Sequence, residues 1–293
     1  MTEPNNLLGR CVAELVGTFI LVFFGCGAVH VAVLTGALNG LWQVAVVWGV
    51  AIMIAVFATA AVSGAHINPA MTLGFFLWRR FPARLLVPYV LSQLGGAILA
   101  AAALFMLYAP FLEEKENSLG IARGQPQSVV TAMCYGEYFP NPGRLEALFK
   151  DRSKSEDSIW SEHHALVPVA TALFGEFLGT LLLALSVFAI TDDRNAAGPG
   201  RFAPVFIGLT VAILICVIAP LTQACFNPAR DFGPRLFAYF AGWGEAAIPG
   251  PNGHGFWSVY IFAPFLGAIT GGGLYQVALR PFMAKPSAST HNA

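Results

Sequence analysis

Charged residues vanish from long stretches of this chain. Leu15–Trp78, Leu85–Leu112, Phe202–Ala229 and Ala246–Leu279 contain no Asp, Glu, Lys or Arg. About 20 apolar residues carry a helix across ~30 Å of hydrocarbon, so these runs hold several crossings. Dividing them at Gly, Pro and charged breakers predicts six full-length helices, approximately Cys11–Leu34, Leu41–Ala60, Leu85–Tyr108, Leu166–Ile190, Phe202–Ala219 and Phe256–Leu279. Segments of alternating polarity, the mark of a membrane barrel, are missing. Two further apolar segments, Asn68–Trp78 and Asn227–Phe240, are long enough as helices to reach only about half-way through a bilayer. Each opens with Asn-Pro-Ala.

The two halves repeat. Ala13-Glu14-Leu15-Val16-Gly17-Thr18 in the first predicted span matches Gly175-Glu176-Phe177-Leu178-Gly179-Thr180 in the fourth. Gly49 precedes Asn68 by the same interval at which Gly208 precedes Asn227. Three spans per half is an odd number, so the second half enters the membrane inverted relative to the first. In such inverted repeats, matching short segments interrupted by Pro point to a site at the midplane. The expected organisation is a single membrane domain over 1–293, with one repeat over about 8–108, a long outer loop over 109–165, the second repeat over about 166–280 and a tail over 281–293.

Composition agrees with this pattern. The 293 residues are 56% hydrophobic and 11% charged, where soluble domains carry about 25% charged residues. The 16 basic and 16 acidic residues cancel, which removes nucleic acid as a partner. Five cysteines without a CxxC spacing suggest neither a metal site nor a redox pair, and no cofactor is expected. The polar opening Met1–Gly9 precedes an apolar run too long for a signal-peptide core, so a retained first helix is expected. One side of the predicted bundle carries Arg10, Arg79, Arg80, Arg84, Arg194, Arg201, Arg280 and Lys285, whereas the loops near Gly36–Gly40 and Ala241–Gly255 carry no basic residue. The positive-inside rule then puts both termini in the cytoplasm of a multi-pass protein of the plasma membrane. The long loop Ala109–Ala165 is placed outside, as a solvated vestibule cover with at most short helical turns.

The chemistry centres on the paired Asn-Pro-Ala segments. Irregular backbone is tolerated at membrane depth only where protein buries it or where it lines a water-filled cavity. Asn is a strong N-cap and Pro suits the first helical position, so each tripeptide starts a half-length helix. Two such helices meeting near the midplane aim their positive dipole ends at one spot, with Asn68 and Asn227 offering amide donors to a solute. Glu14 and Glu176, acids in apolar spans, suit the acceptance of N–H groups from the two loops; the alternative is a proton relay. His66 reads as a loop-shaping donor, since no second ligand lies at metal spacing. Gly17, Gly49, Gly179 and Gly208 read as close-contact positions at helix crossings.

These segments resemble a known family. Ser63-Gly64-Ala65-His66-Ile67-Asn68-Pro69-Ala70 and Asn227-Pro228-Ala229-Arg230-Asp231-Phe232-Gly233-Pro234-Arg235 are similar to the two signature loops of the major intrinsic proteins, the aquaporins, and the Arg-Asp continuation resembles the glycerol-facilitator branch. The resemblance implies an all-α membrane protein of six transmembrane helices and two re-entrant half-helices arranged as an inverted repeat. It implies a passive channel, not an enzyme, for glycerol, related polyols, urea and water, and a homotetramer in the lipid bilayer with a pore in each protomer. It makes Arg230 the selectivity arginine, whose charge would repel cations and protons by the mechanism described for aquaporin-type pores; the alternative is a structural pair with Asp231. It sets Trp48 beside Arg230 at the constriction, with Ile215 and Ala224 completing it. Glycerol facilitators typically carry Gly and Phe at those last two positions, and this chain departs from them. The pore ladder would be the carbonyls of Gly64, Ala65 and His66 and of Gln223, Ala224 and Cys225, with Glu14, Glu176 and Asp231 supporting the loops. The competing class is a proton- or sodium-coupled transporter of a small neutral solute, because inverted repeats with broken helices occur there too.

Overall fold

The computed structural model describes residues 7–150 and 153–283. Lys285, the start of the polar opening Met1–Gly9 and most of the tail assigned to 281–293 lie outside the described residues. Every regular element described is a helix, and six are long and apolar enough to cross a membrane. The principal helices are α1 (Leu7–Thr35), α2 (Leu41–Ser63), α3 (Pro69–Arg79), α4 (Leu86–Leu119), α5 (Val169–Ile190), α6 (Ala203–Thr222), α7 (Pro228–Ala238) and α8 (Ala263–Leu274). The sixth crossing is α8 extended by wider π turns at Trp257–Phe262 and Tyr275–Leu279. The fifth element starts at Val169 because Pro168 caps it in an extended conformation.

Helices α3 and α7 have 11 residues each. Their starts are locally encoded. The Asn68 side-chain oxygen accepts from the N–H groups of Ala70 and Met71 at 2.8 and 3.4 Å, and Asn227 does the same for Ala229 and Arg230 at 3.1 and 3.3 Å. Pro69 and Pro228 then occupy a position where no N–H is needed.

The halves interlock rather than sit side by side. α1 packs on α4, α5 on α8, and α2 on α6, while α3 leans on α8 and α7 on α4. Each half-length helix is thus supported by the last span of the opposite half. The crossings depend on glycine. A Cβ on Gly96 would stand 2.2 Å from the Leu15 carbonyl oxygen, and one on Gly267 would stand 2.5 Å from that of Phe177, the equivalent residue in the repeat. At the centre, Gly49 and Gly208 bring α2 and α6 together: a Cβ on Gly208 would sit 2.3 Å from the Gly49 carbonyl oxygen. Gly208→Ala must therefore push the helices apart, and a loss of about 1–3 kcal/mol is expected from overpacking, read as a lowered Tm in detergent.

Two expectations change. Gly17 marks a helix crossing only beside a loop contact, an added Cβ there standing 3.0 Å from the Thr59 hydroxyl of α2, and Gly179 marks none. Their missing side chains make room for Ile67 and Phe226, to which an added Cβ would come within 2.7 and 2.1 Å. The long loop is also more than a solvated cover. α4 continues as a helix to Leu119, because Glu113, Glu114 and Asn117 are exposed at its end and need no apolar surroundings. After Gly124 the chain turns inward, and every residue from Ser128 to Pro140 is buried. Glu116 anchors this descent, paired with Arg123 at 2.9 Å and accepting from Thr131 at 2.7 Å. Only beyond Pro140 does the loop return outward through the short helices Leu145–Lys150 and Glu156–Ala165.

Candidate functional site

The segments between α2 and α3 and between α6 and α7 are built alike. Gly64, Ala65 and Ile67 have φ of 90°, 49° and 43°, and Gln223, Ala224 and Phe226 have 64°, 65° and 53°. Left-handed residues at this density forbid a helix, so the N–H groups need partners from elsewhere. The repeated glutamates supply them. Glu14 accepts from the His66 N–H at 2.9 Å and the Ile67 N–H at 2.7 Å, and from the Ser63 hydroxyl at 2.6 Å. Glu176 accepts from the Cys225 and Phe226 N–H groups, both at 2.9 Å, and from the Thr222 hydroxyl at 2.6 Å. Both acids are fully buried. His66 has its Nδ1 at 3.2 Å from the Thr72 hydroxyl and lies among the rings of Phe75, Phe81 and Tyr89 in tilted and edge-on contacts.

The two loops are joined across the midplane. The Asn68 amide donates to the Phe226 carbonyl at 2.9 Å, and the Asn227 amide donates to the Ile67 carbonyl at 2.8 Å. Each NH₂ thereby commits one of its two hydrogens to the opposite loop and keeps one. Sequence spacing places these residues together but gives no sign of this exchange.

Beside the joined loops runs a cavity of about 240 Å³. Gly64, Ala65, His66, Gln223, Ala224 and Cys225 all border it. Leu21, Ile52, Val56, Val187 and Val211 face it from the spans. It therefore has one polar backbone wall and one aliphatic wall. It reaches Thr191 and Ala203 near the α5–α6 connection, and Trp48, Ile215 and Arg230 beyond the asparagines. The Arg230 guanidinium lies 4.5 Å from the centre of the Trp48 ring, a cation–π arrangement.

Arg230 is not paired with Asp231. Asp231 takes Arg235 instead, through three contacts of 2.9 to 3.2 Å, and also receives the Glu137 N–H at 2.6 Å. Arg235 continues to the carbonyls of Ala247, at 2.8 Å, and Glu137. Asp231 thus braces the inward stretch of the long loop. Arg230 donates to the Tyr135 carbonyl at 3.1 Å and forms an ion pair with Glu137. Glu137 is 1% exposed and Arg230 4%. Burial pushes the Glu137 carboxyl up from the ordinary carboxylate range to about 8, with the Arg230 guanidinium the strongest influence pulling it back.

A family profile described as Major intrinsic protein matches residues 1–275. The chain belongs to the major intrinsic protein family. Among its relatives, the glycerol uptake facilitator protein of Pseudomonas aeruginosa is 37% identical over 274 residues, covering 94% of this chain and 90% of that protein. The propanediol uptake facilitator of Citrobacter freundii is 35% identical over 272 residues, covering 93% and 92%. The solved aquaglyceroporin from Plasmodium falciparum matches with a TM-score of 0.76 at 21% identity, covering 94% of this chain and 98% of that one, a likeness of fold.

The roles of three residues in the site of this major intrinsic protein escaped sequence reasoning. Tyr89 donates to the Ser63 carbonyl at 2.8 Å, and Tyr260 donates to the equivalent Thr222 carbonyl at 3.1 Å, so both loops are pinned at their starts by a tyrosine. Glu137 is the third. Its signal was the apolar, aromatic run Val129–Phe139, interrupted by a single acid, inside an otherwise polar loop.

Proposed function

We propose that this chain is a passive channel for glycerol and related small polyols, which also passes water and urea and excludes ions and protons. The observation that carries the reading is the cavity with one aliphatic and one backbone wall, bordered by both asparagines. A polyol has the same division: its carbons can lie against Leu21, Ile52 and Val211 while its hydroxyls trade hydration for the loop carbonyls. Trp48, Ile215, Ala224 and Arg230 form the constriction, and Glu14, Glu176 and Asp231 hold the loops that shape it. We assign the chain to one channel domain made of two halves, with both termini in the cytoplasm, the long loop outside, and four protomers in the bilayer.

Flux in reconstituted vesicles tests this. Glycerol should equilibrate far faster than through empty vesicles and ignore an imposed proton or sodium potential. Uptake driven by either potential would establish a coupled transporter instead. Specificity at the constriction has its own check. Trp48 is its single aromatic wall, and Ala224→Phe should add a second, narrowing the opening against Arg230. Urea flux is expected to fall more than glycerol flux, by a factor of roughly 5, the worth of about one hydrogen bond in a wet filter. An unchanged urea-to-glycerol ratio in assembled protein would show that Ala224 lies off the path.

A further inference from the structure

Resting on the channel reading above, we infer that Glu137, delivered by the long loop, is a positioning residue that holds Arg230 across the constriction and sets the net charge a solute meets there. The geometry is specific. Arg230 is held on one side by the Trp48 ring at 4.5 Å and on the other by the Tyr135 carbonyl at 3.1 Å and the Glu137 carboxylate. Glu137 is itself held by its backbone: its N–H goes to Asp231 and its carbonyl receives Arg235. The loop therefore has no freedom to withdraw the carboxylate while these bonds last.

The groups around Glu137 are Arg230, Asp231 and Arg235 from α7, Glu176 from α5, Cys26 from α1, Cys225 beside α7, Tyr260 from the sixth crossing and the neighbouring Tyr138. With Glu137 ionised, Arg230 and Arg235 face Glu137 and Asp231 at the mouth, and these four charges cancel. With Glu137 protonated, Arg230 becomes an uncompensated buried cation. Its planar donors then suit a small planar anion, which they can grip in bidentate fashion. The carboxyl midpoint of about 8 puts this change within easy experimental reach.

Nitrate is the probe, with gluconate at equal ionic strength as the reference salt. Glycerol efflux from vesicles carrying the full chain is measured at about pH 6 and about pH 9, either side of the Glu137 midpoint. Wild type should be slowed by nitrate about threefold or more at the lower pH and not at the higher, the effect of one charge-assisted contact. Glu137→Gln should be nitrate-sensitive at both, and Glu137→Asp, which keeps a carboxylate, should keep a nitrate response that depends on pH. Conducting Glu137→Gln protein that ignores nitrate at both pH values would overturn the inference, as would wild type insensitive at both. Should Glu137→Gln fail to assemble, the wild-type pair of measurements decides alone. Should wild type fail to conduct glycerol at all, the channel reading falls separately. The charge is then read without flux, as a nitrate-dependent rise in Tm at about pH 6 that is absent at about pH 9.

Discussion

Replacing Glu176 with alanine is expected to abolish recovery of folded protein. The substitution strands the N–H groups of Cys225 and Phe226 and the hydroxyl of Thr222, all buried and all bonded to that one carboxylate. Each stranded donor costs about 1–3 kcal/mol, so the sum is roughly 3–9 kcal/mol before any cavity is counted. Total stabilities of about 5–15 kcal/mol leave little after such a loss. Glu176→Gln should be milder, since its amide oxygen still accepts while its NH₂ faces a donor. Glu14→Ala should act alike, because Glu14 also accepts from Gln93 at 2.7 Å. The measurements are yield from membranes and Tm in detergent. Well-folded protein that lost only proton-coupled uptake would reverse the assignment and make these acids part of a proton path.

Arg230→Val should have the largest effect on what passes. Removing the arginine does more than delete a cation; it leaves the Glu137 carboxylate buried with its partner gone. Breaking a buried pair in this way costs about 3–5 kcal/mol. The constriction also loses its fixed cation, and without Arg230, the strongest influence lowering its midpoint, the buried Glu137 carboxyl stays protonated at neutral pH and supplies no negative charge. At ~4 Å and an effective dielectric near 20, a unit positive charge repels a cation by about 4 kcal/mol, roughly a thousandfold in occupancy, and that barrier goes with Arg230. Proton or sodium leak into vesicles should therefore appear in Arg230→Val, with altered glycerol flux and a lowered Tm. Adding Glu137→Leu to the same protein should recover much of the Tm and leave the leak. If the single variant retains full ion exclusion and an unchanged solute ranking, Arg230 takes no part in the filter.

Much of this molecule was legible because its constraints are local or repeated. Charge-free runs marked the six crossings, and Asn-Pro-Ala encodes a helix start within three residues. Glu14 and Glu176 stood out because an acid in an apolar span occurs twice at one register, and the structure brings each to the loop of its own half. What stayed hidden depends on distant partners. Glu137 is one of nine acids in its loop, and its meeting with Arg230 spans nearly a hundred positions. Only the apolar, aromatic run around it distinguishes it from Glu113, which is exposed. Gly179 was misread for a similar reason: a missing side chain shows that something approaches closely, not whether it is a neighbouring helix or the ring of Phe226.

The reciprocal bonds between the asparagines and the opposite loops have a kinetic consequence. Asn68 and Asn227 each close a bond to the other half at the point about which halves of an inverted repeat would rock. Alternating exposure of a central site would require both to open and reclose in every cycle, on the μs–ms scale of domain motions. Fastened together there, the halves are held against such a cycle, and in the channel proposed above throughput is set by how fast solutes shed and regain hydration. The activation energy of permeation should then be shallow, close to that of diffusion in water, and flux should not saturate in the manner of a carrier.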